Sequence, residues 1–331
     1  LFSHKYMWYA LVLLVLVLVP PLGSSYFQSM ITKILILAIF AMSLDLTMGY
    51  AGLISFGHAA FLGMSGYTVA ILLQRTPITS FWLVALIALA VTAVLALVIG
   101  YVSLRVSGIY FLLVTMAFGQ LLTTVAIKWN SLTGGTNGIG VTSRPQLGFD
   151  VQWTNLKFYY LVFAFFIVSF IVLKLVVRSP FGSTLVGIRE NEPRMRSLGF
   201  NTWALKYVAI IVGAFFAGVA GIFYGFHNYN MVPSYLSLET SALPMLMVIL
   251  GGPATLYGPC LGAAAFVIVE HYSRTHFPDW WGMILGGMFI LCVLFLKGGF
   301  ARYLSSLWSR IGFVRVKHAQ LSESAGSEVD A

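Results

Sequence analysis

For acid–base or metal chemistry this 331-residue chain has ten acidic residues, six histidines and two cysteines. They are scattered. Asp45 lies deep in the apolar run "MSLDLTMGY" and His58 opens "GHAAFLGMSG". Glu239 and Glu270 fall near the ends of apolar segments, and Cys260 and Cys292 fall inside them. No second His, Cys or carboxylate stands at metal-ligand spacing from any of these, so no metal site is expected. The cysteines offer no disulfide framework. "GGTNGIG" is glycine-rich but lacks the Lys-Ser/Thr of a phosphate loop, so no nucleotide site is expected. No catalytic residue and no bound cofactor follow from this inventory.

The remaining chemistry is of two kinds. A buried carboxylate such as Asp45 must pair, lie against a polar wall or bind a proton, because ionisable groups in a bilayer are costly and often mark a pathway. A lone histidine reads as a structural hydrogen bond before a substrate contact. The second kind is a charged loop. "RENEPRMRSLGFN" carries Arg189, Glu190, Glu192, Arg194 and Arg196 and ends near Gly199. Pro193 suits a first helical turn, Asn191 or Glu192 can cap it, and Gly199 can stop it. A helix of one or two turns is expected, with Met195, Leu198 and Phe200 as a small apolar face. Such a segment suits docking into a groove.

The elements that must hold these residues are membrane helices. The chain is 59% hydrophobic and 9% charged, with mean hydropathy +0.91, whereas soluble domains are about 25% charged. Its apolar runs reach the ~20 residues that a spanning helix needs. The fold class is all-α: a polytopic α-helical integral membrane protein. Ten segments are expected, near 7–22, 29–48, 56–74, 81–103, 108–127, 157–177, 207–227, 239–252, 258–273 and 280–297. The first reads as a span and not as a leader, since no small-residue cleavage site follows it. On this count 13 of the 19 Lys and Arg residues fall on the side of the termini and the 178–206 loop. The positive-inside bias then places the N-terminus, the C-terminus and that loop in the cytoplasm. The net charge of +9 is accounted for the same way, without nucleic acid. Residues 1–316 read as one membrane domain and 317–331 as a polar, disordered tail.

Two interruptions stand out. "GYAGLISFG", with Gly49, Gly52, Ser55 and Gly57, is too glycine-rich for a continuous helix, and its backbone groups could face a polar cavity. "GGPATLYGPCLGAAAF", opening at Gly251 and Gly252, has a similar layout. Paired interrupted segments can point to a transporter's substrate site. Asp45, Gly49, Gly52, Ser55, Gly57, His58, Gly251 and Gly252 are therefore the candidate path or break residues. After the first break, Gly57, Gly63 and Gly66 with Ala59, Ala60 and Ser65 form a small-residue face for close helix packing, within the bundle or between subunits.

"Glu192 … Gly199" within "GIRENEPRMRSLGFNTWALKYVAI" resembles the EAA-type loop of ATP-binding-cassette importer permeases, with "NEP" in place of the usual alanines. "GYAGLISFGHAAFLGMSGYTVAILL", "LTGGTNGIGV", "GGPATLYGPCLGAAAFVIVE" and "FPDWWGMILGGMFILCVLFLKGGF" are similar, in order, to the M-type permease of branched-chain amino acid importers. The resemblance covers about 30 to 315. It implies a multi-pass protein of the bacterial inner membrane that forms half of a translocation path. The implied partners are a homologous H-type permease, two ATP-binding subunits that dock on the 178–206 loop and use ATP and Mg, a periplasmic substrate-binding protein, and membrane lipid. A paralogous permease for urea or short amides shares much of the pattern. A secondary transporter would not need the docking loop and would show more intramembrane carboxylates.

Overall fold

A computed structural model describes residues 16–18, 20–78, 80–141, 153–295 and 299–300. Most of the first expected segment and the whole 317–331 tail lie outside the described residues. Helix α1 (Ser25–Asp45) starts where Ser24 Oγ accepts the Phe27 N–H, and it runs on through a π turn, Leu46–Tyr50. After an irregular stretch come α2 (His58–Arg75), α3 (Phe81–Ser103) and α4 (Ile109–Lys128). Helix α5 (Asn155–Arg178) leads into α6 (Pro180–Glu190) and α7 (Glu192–Ser197). Then follow α8 (Thr202–Asn228), α9 (Leu238–Gly251), α10 (Tyr257–His276) and α11 (Trp281–Phe295).

Each expected segment from 29–48 onward coincides with one of these helices. Only α1 with its π turn, α3, α4, α5 and α8 are both long and apolar enough to cross a membrane. Glycine and polar residues dilute α2 and α10, and α9 and α11 are shorter. Among the described residues, five of the expected segments are thus long and apolar enough, by length and composition, to cross a membrane.

Burial separates centre from rim. In their most apolar windows α1 is 78% and α8 72% buried, against 39%, 22% and 28% for α3, α4 and α5. A helix apolar all round belongs in the middle of a bundle, and Leu35–Asp45 forms an unbroken buried run. Helix α2 packs on α8 through its small residues. Ser65 Oγ donates to the Gly218 carbonyl at 2.8 Å, and a Cβ on Gly221 would lie 2.1 Å from the Leu62 carbonyl oxygen. The small-residue face therefore serves packing within this chain.

Contacts at one end of the bundle tie its helix ends together. Strand β1 (Ile139–Gly140) pairs antiparallel with β2 (Asn230–Met231), joining the loop after α4 to the end of α8. Near the start of α1, Lys33 pairs with Glu270 at 2.9 Å, and Arg274 binds the same carboxylate at 3.1 Å. The Arg75 guanidinium at the end of α2 meets the Ser131 carbonyl.

A candidate coupling site and the broken helices it touches

The 178–206 loop is more structured than a single short helix. Pro180 at the first turn of α6 loses nothing by lacking an N–H, and Leu185 and Ile188 seat that helix on the bundle. Asn191 then separates α6 from α7 and caps α7, its side-chain oxygen accepting the Arg194 N–H at 3.0 Å. Gly199 ends α7 at φ +88°, a conformation that favours glycine. The Phe200 N–H closes on the Met195 carbonyl across that turn.

Glu192 anchors α7. Its carboxylate takes hydrogen bonds from Arg196 at 2.8 Å, from Thr202 at 3.0 Å and from Lys206. Burial alone would raise its pKa, but the Lys206 hydrogen bond and charge, with Thr202 and Arg196, outweigh it and hold the group below the ordinary carboxylate value. Glu190 and Arg194 are exposed. The expected apolar face of α7 divides. Met195 turns back toward Gly187 of α6, while Leu198 is 65% and Phe200 43% exposed.

Arg189, exposed at the end of α6, also reaches the bundle. Its guanidinium donates to the carbonyl of Gly49 in the π turn, and its stem crosses Gly52, where a Cβ would lie 2.8 Å from Arg189 Cγ. Gly49 also lies inside the helical run and not in the break, which spans 51–57. Several of the break's amides are bonded. Leu53 N–H donates to the Thr47 carbonyl at 2.8 Å, Phe56 N–H to Thr115 Oγ1 at 3.3 Å, and Gly57 N–H to Ser55 Oγ at 3.3 Å. At the start of α2, Ala59 N–H donates to Ser241 Oγ at 3.1 Å.

The two interruptions meet at Asp45. Its carboxylate accepts the Ala254 N–H at 2.7 Å and the Leu256 N–H at 3.2 Å, so it caps the α9–α10 break from α1. Ala254 and Leu256 hold φ of 59° and 54°, which is strained for residues with a Cβ. Gly49 keeps the junction tight: a Cβ there would stand 2.0 Å from Asp45 Oδ1 and 2.6 Å from the Ala254 nitrogen. Gly251 and Gly252 end α9 at the same place. Ala254, Leu256, Thr115, Ser241 and Lys206 were not legible as site residues, since each earns its role from a partner far along the chain.

His58 is buried, with Nε2 2.8 Å from Ser43 Oγ. Ser43 Oγ also lies 2.6 Å from the Phe40 carbonyl, to which it donates. A cavity of about water-molecule size adjoins it, lined by Thr47, Ser55, His58, Ser103 and Thr115 among others. Ser103 Oγ is buried there without a hydrogen-bond partner among the described residues. The described residues hold no group of three or more His, Cys, Asp or Glu that could bind a metal.

Residues 26–294 match the family described as branched-chain amino acid transport system / permease component. The chain belongs to this family. The permease is 28% identical over 291 residues, covering 81% of its length and 68% of theirs, to the high-affinity branched-chain amino acid transport system permease proteins LivM of Salmonella typhimurium and Escherichia coli. It is 22% identical over 310 residues, covering 78% of its length and 88% of the relative's, to a probable branched-chain amino acid transport permease protein LivM of Methanocaldococcus jannaschii. No solved structure matches it. Family and apolar helices together make it a multi-pass membrane transport component and not an enzyme.

Proposed function

We propose that this permease forms half of the translocation path of an ATP-driven importer for branched-chain amino acids, with α6 and α7 docking on a separate ATPase. The observation that carries this reading is the double anchoring of the 178–206 segment. Glu192 ties α7 to the root of α8, and Arg189 ties α6 to the π turn of α1. Between these anchors, exposed Leu198 and Phe200 stand beside Arg194, a mix of apolar and cationic groups suited to a groove on a partner. Movement imposed on such a segment passes into two central helices, as coupling requires.

The finer expectations belong to the same proposal. They are about ten crossings with both termini in the cytoplasm of a bacterial cell, an H-type permease alongside, two ATPase subunits that bind ATP and Mg, and a periplasmic binding protein. The substrate class rests on the names of the relatives.

The test is reconstitution of the permease with its cognate partners in proteoliposomes, assaying uptake of leucine, isoleucine, valine and urea alongside ATP hydrolysis. Uptake of the three amino acids but not of urea is expected. E192R and G199P should insert normally yet lose ATP-driven uptake. Normal uptake with normal stimulated ATPase activity in both variants would overturn the docking assignment.

A further inference from the structure

Helix α9 carries a carboxylate, Glu239, in its first turn, and that turn does not lie at the membrane surface. From the end of α8 the chain passes through β2 and a 3₁₀ turn, Pro233–Leu236, that packs between α2 and α4. The Leu236 side chain fills the space a Cβ on Gly63 of α2 would need, and its carbonyl lies 3.8 Å from the position of a Cβ on Gly119 of α4. Gly119 is the eleventh of the 20 residues of α4, ~15 Å along a helix that crosses a ~30 Å hydrocarbon layer. On the other side of Glu239, Ser241 Oγ accepts the Ala59 N–H at 3.1 Å. Just before Ala59, Gly57 lies against the carbonyl of Thr115, the seventh residue of α4 and ~9 Å along it. Glu239 is thus bracketed by neighbours roughly 9–15 Å along α4, well inside the layer.

Glu239 is exposed, and no ion pair or hydrogen bond holds its carboxylate among the described residues. An ionisable group at that depth faces a polar neighbour or a water-filled path and not lipid. Three features favour the path. The turn before Glu239 is irregular backbone with Ser234 exposed, and such backbone survives at membrane depth where protein buries it or water meets it. Pro244, inside α9, has no N–H, so the Thr240 carbonyl one turn back loses its helical donor. Leu243 and Leu246 follow Glu239 at four and seven residues, on the same helix face, and are only partly buried. A carboxylate, a carbonyl without its helical donor beside it, and an aliphatic strip beyond are the complement of an ammonium group joined to an aliphatic chain. Interrupted helices near the bilayer midplane are also where transporters hold their substrates.

We infer that Glu239 lines the translocation path and receives the ammonium group of the transported amino acid, with Leu243 and Leu246 against its aliphatic side chain. An ionised carboxylate only accepts hydrogen bonds and an ammonium only donates them, so the pair is matched in both charge and bonding. The inference rests on the proposed importer reading.

The test uses the complete importer reconstituted in proteoliposomes, with E239Q and E239C. E239Q keeps the shape and removes the charge. It should assemble with every subunit, and its uptake of L-leucine should fall about tenfold or more. E239C should react with a membrane-impermeant, water-soluble thiol reagent several-fold faster than V168C on the outward apolar face of α5, the wild type giving the background of the native cysteines. L-leucine with binding protein and ATP should slow that reaction several-fold. Undiminished uptake by E239Q, labelling of E239C no faster than V168C, or labelling that L-leucine leaves unchanged overturns the inference. Loss of a subunit from the E239Q complex would make Glu239 an ion-pair partner of that subunit and overturn it as well. Leucine uptake by the wild-type complex is measured in parallel. Uptake with an unreactive E239C overturns this inference alone, whereas no uptake overturns the importer reading and this inference with it.

Discussion

Replacing Asp45 tests whether the two helix interruptions are held together by one carboxylate. D45A removes the acceptor of two N–H groups, those of Ala254 and Leu256, and leaves no other acceptor in place. Each donor orphaned in a buried setting costs about 1–3 kcal/mol, a gross loss of roughly 2–6 kcal/mol. The anchored loop holds two non-glycine residues at positive φ. Once released it relaxes and recovers about 1–2 kcal/mol of that strain, leaving a net loss of about 2.5 kcal/mol at the middle of both ranges. At a few degrees per kcal/mol, the midpoint of thermal unfolding in detergent should fall by roughly 5–10 °C. D45N keeps one carbonyl acceptor and should lose about half as much. V94A, on the outward face of α3, should change little. The assay is fluorescence-detected unfolding of the purified permease, with far-ultraviolet circular dichroism confirming helix content before heating. If D45A melts within about 1 °C of the wild type, or if D45N falls as far as D45A, the carboxylate does not hold the junction and the reasoning fails.

Three further outcomes follow from the same geometry. A254G should raise the midpoint by one to a few degrees, since glycine adopts φ near 59° without the strain that alanine bears there; a lower midpoint would show that the alanine methyl contributes more than the strain removes. G221A should destabilise by about 1–3 kcal/mol, because its Cβ would sit 2.1 Å from the Leu62 carbonyl and 2.2 Å from Ser65 Oγ, between α2 and α8; unchanged unfolding would refute that close contact. Glu192 is held below its ordinary value of 4.5, so its contribution is present above about pH 4.5 and lost as pH falls through its lower folded value. Proteolysis within 192–206 should accelerate across that acid window in the wild type, and E192Q should be sensitive already at neutral pH. Equal resistance of E192Q and wild type at pH 7 would remove Glu192 from the anchor.

Local features were legible before any coordinates. Asn191 as a cap and Gly199 as a stop depend on hydrogen bonds spanning three to five residues, so their signals lie within one short window of sequence. The breaks were likewise visible as glycine and proline clusters, though glycine content misplaced the first: Gly49 stays helical, and its missing Cβ serves packing against Asp45 and not a turn. The 178–206 loop holds two helices where its sequence predicts one, because α6 carries an ordinary amphipathic pattern that merges with the end of α5.

By itself the sequence determined the solvent, since too few charged residues are present to cover a soluble globule. It also determined the helical class, because backbone groups in hydrocarbon must be satisfied within each segment. Only the tertiary structure decided which groups answer one another. Asp45 and Ala254 are 209 residues apart, Arg189 and Gly49 are 140 apart, and Ala59 and Ser241 are 182 apart. Each of these residues, read alone, is a polar group at a cost. Their partners are chosen by how the helices cross, which composition and periodicity along a single chain do not encode.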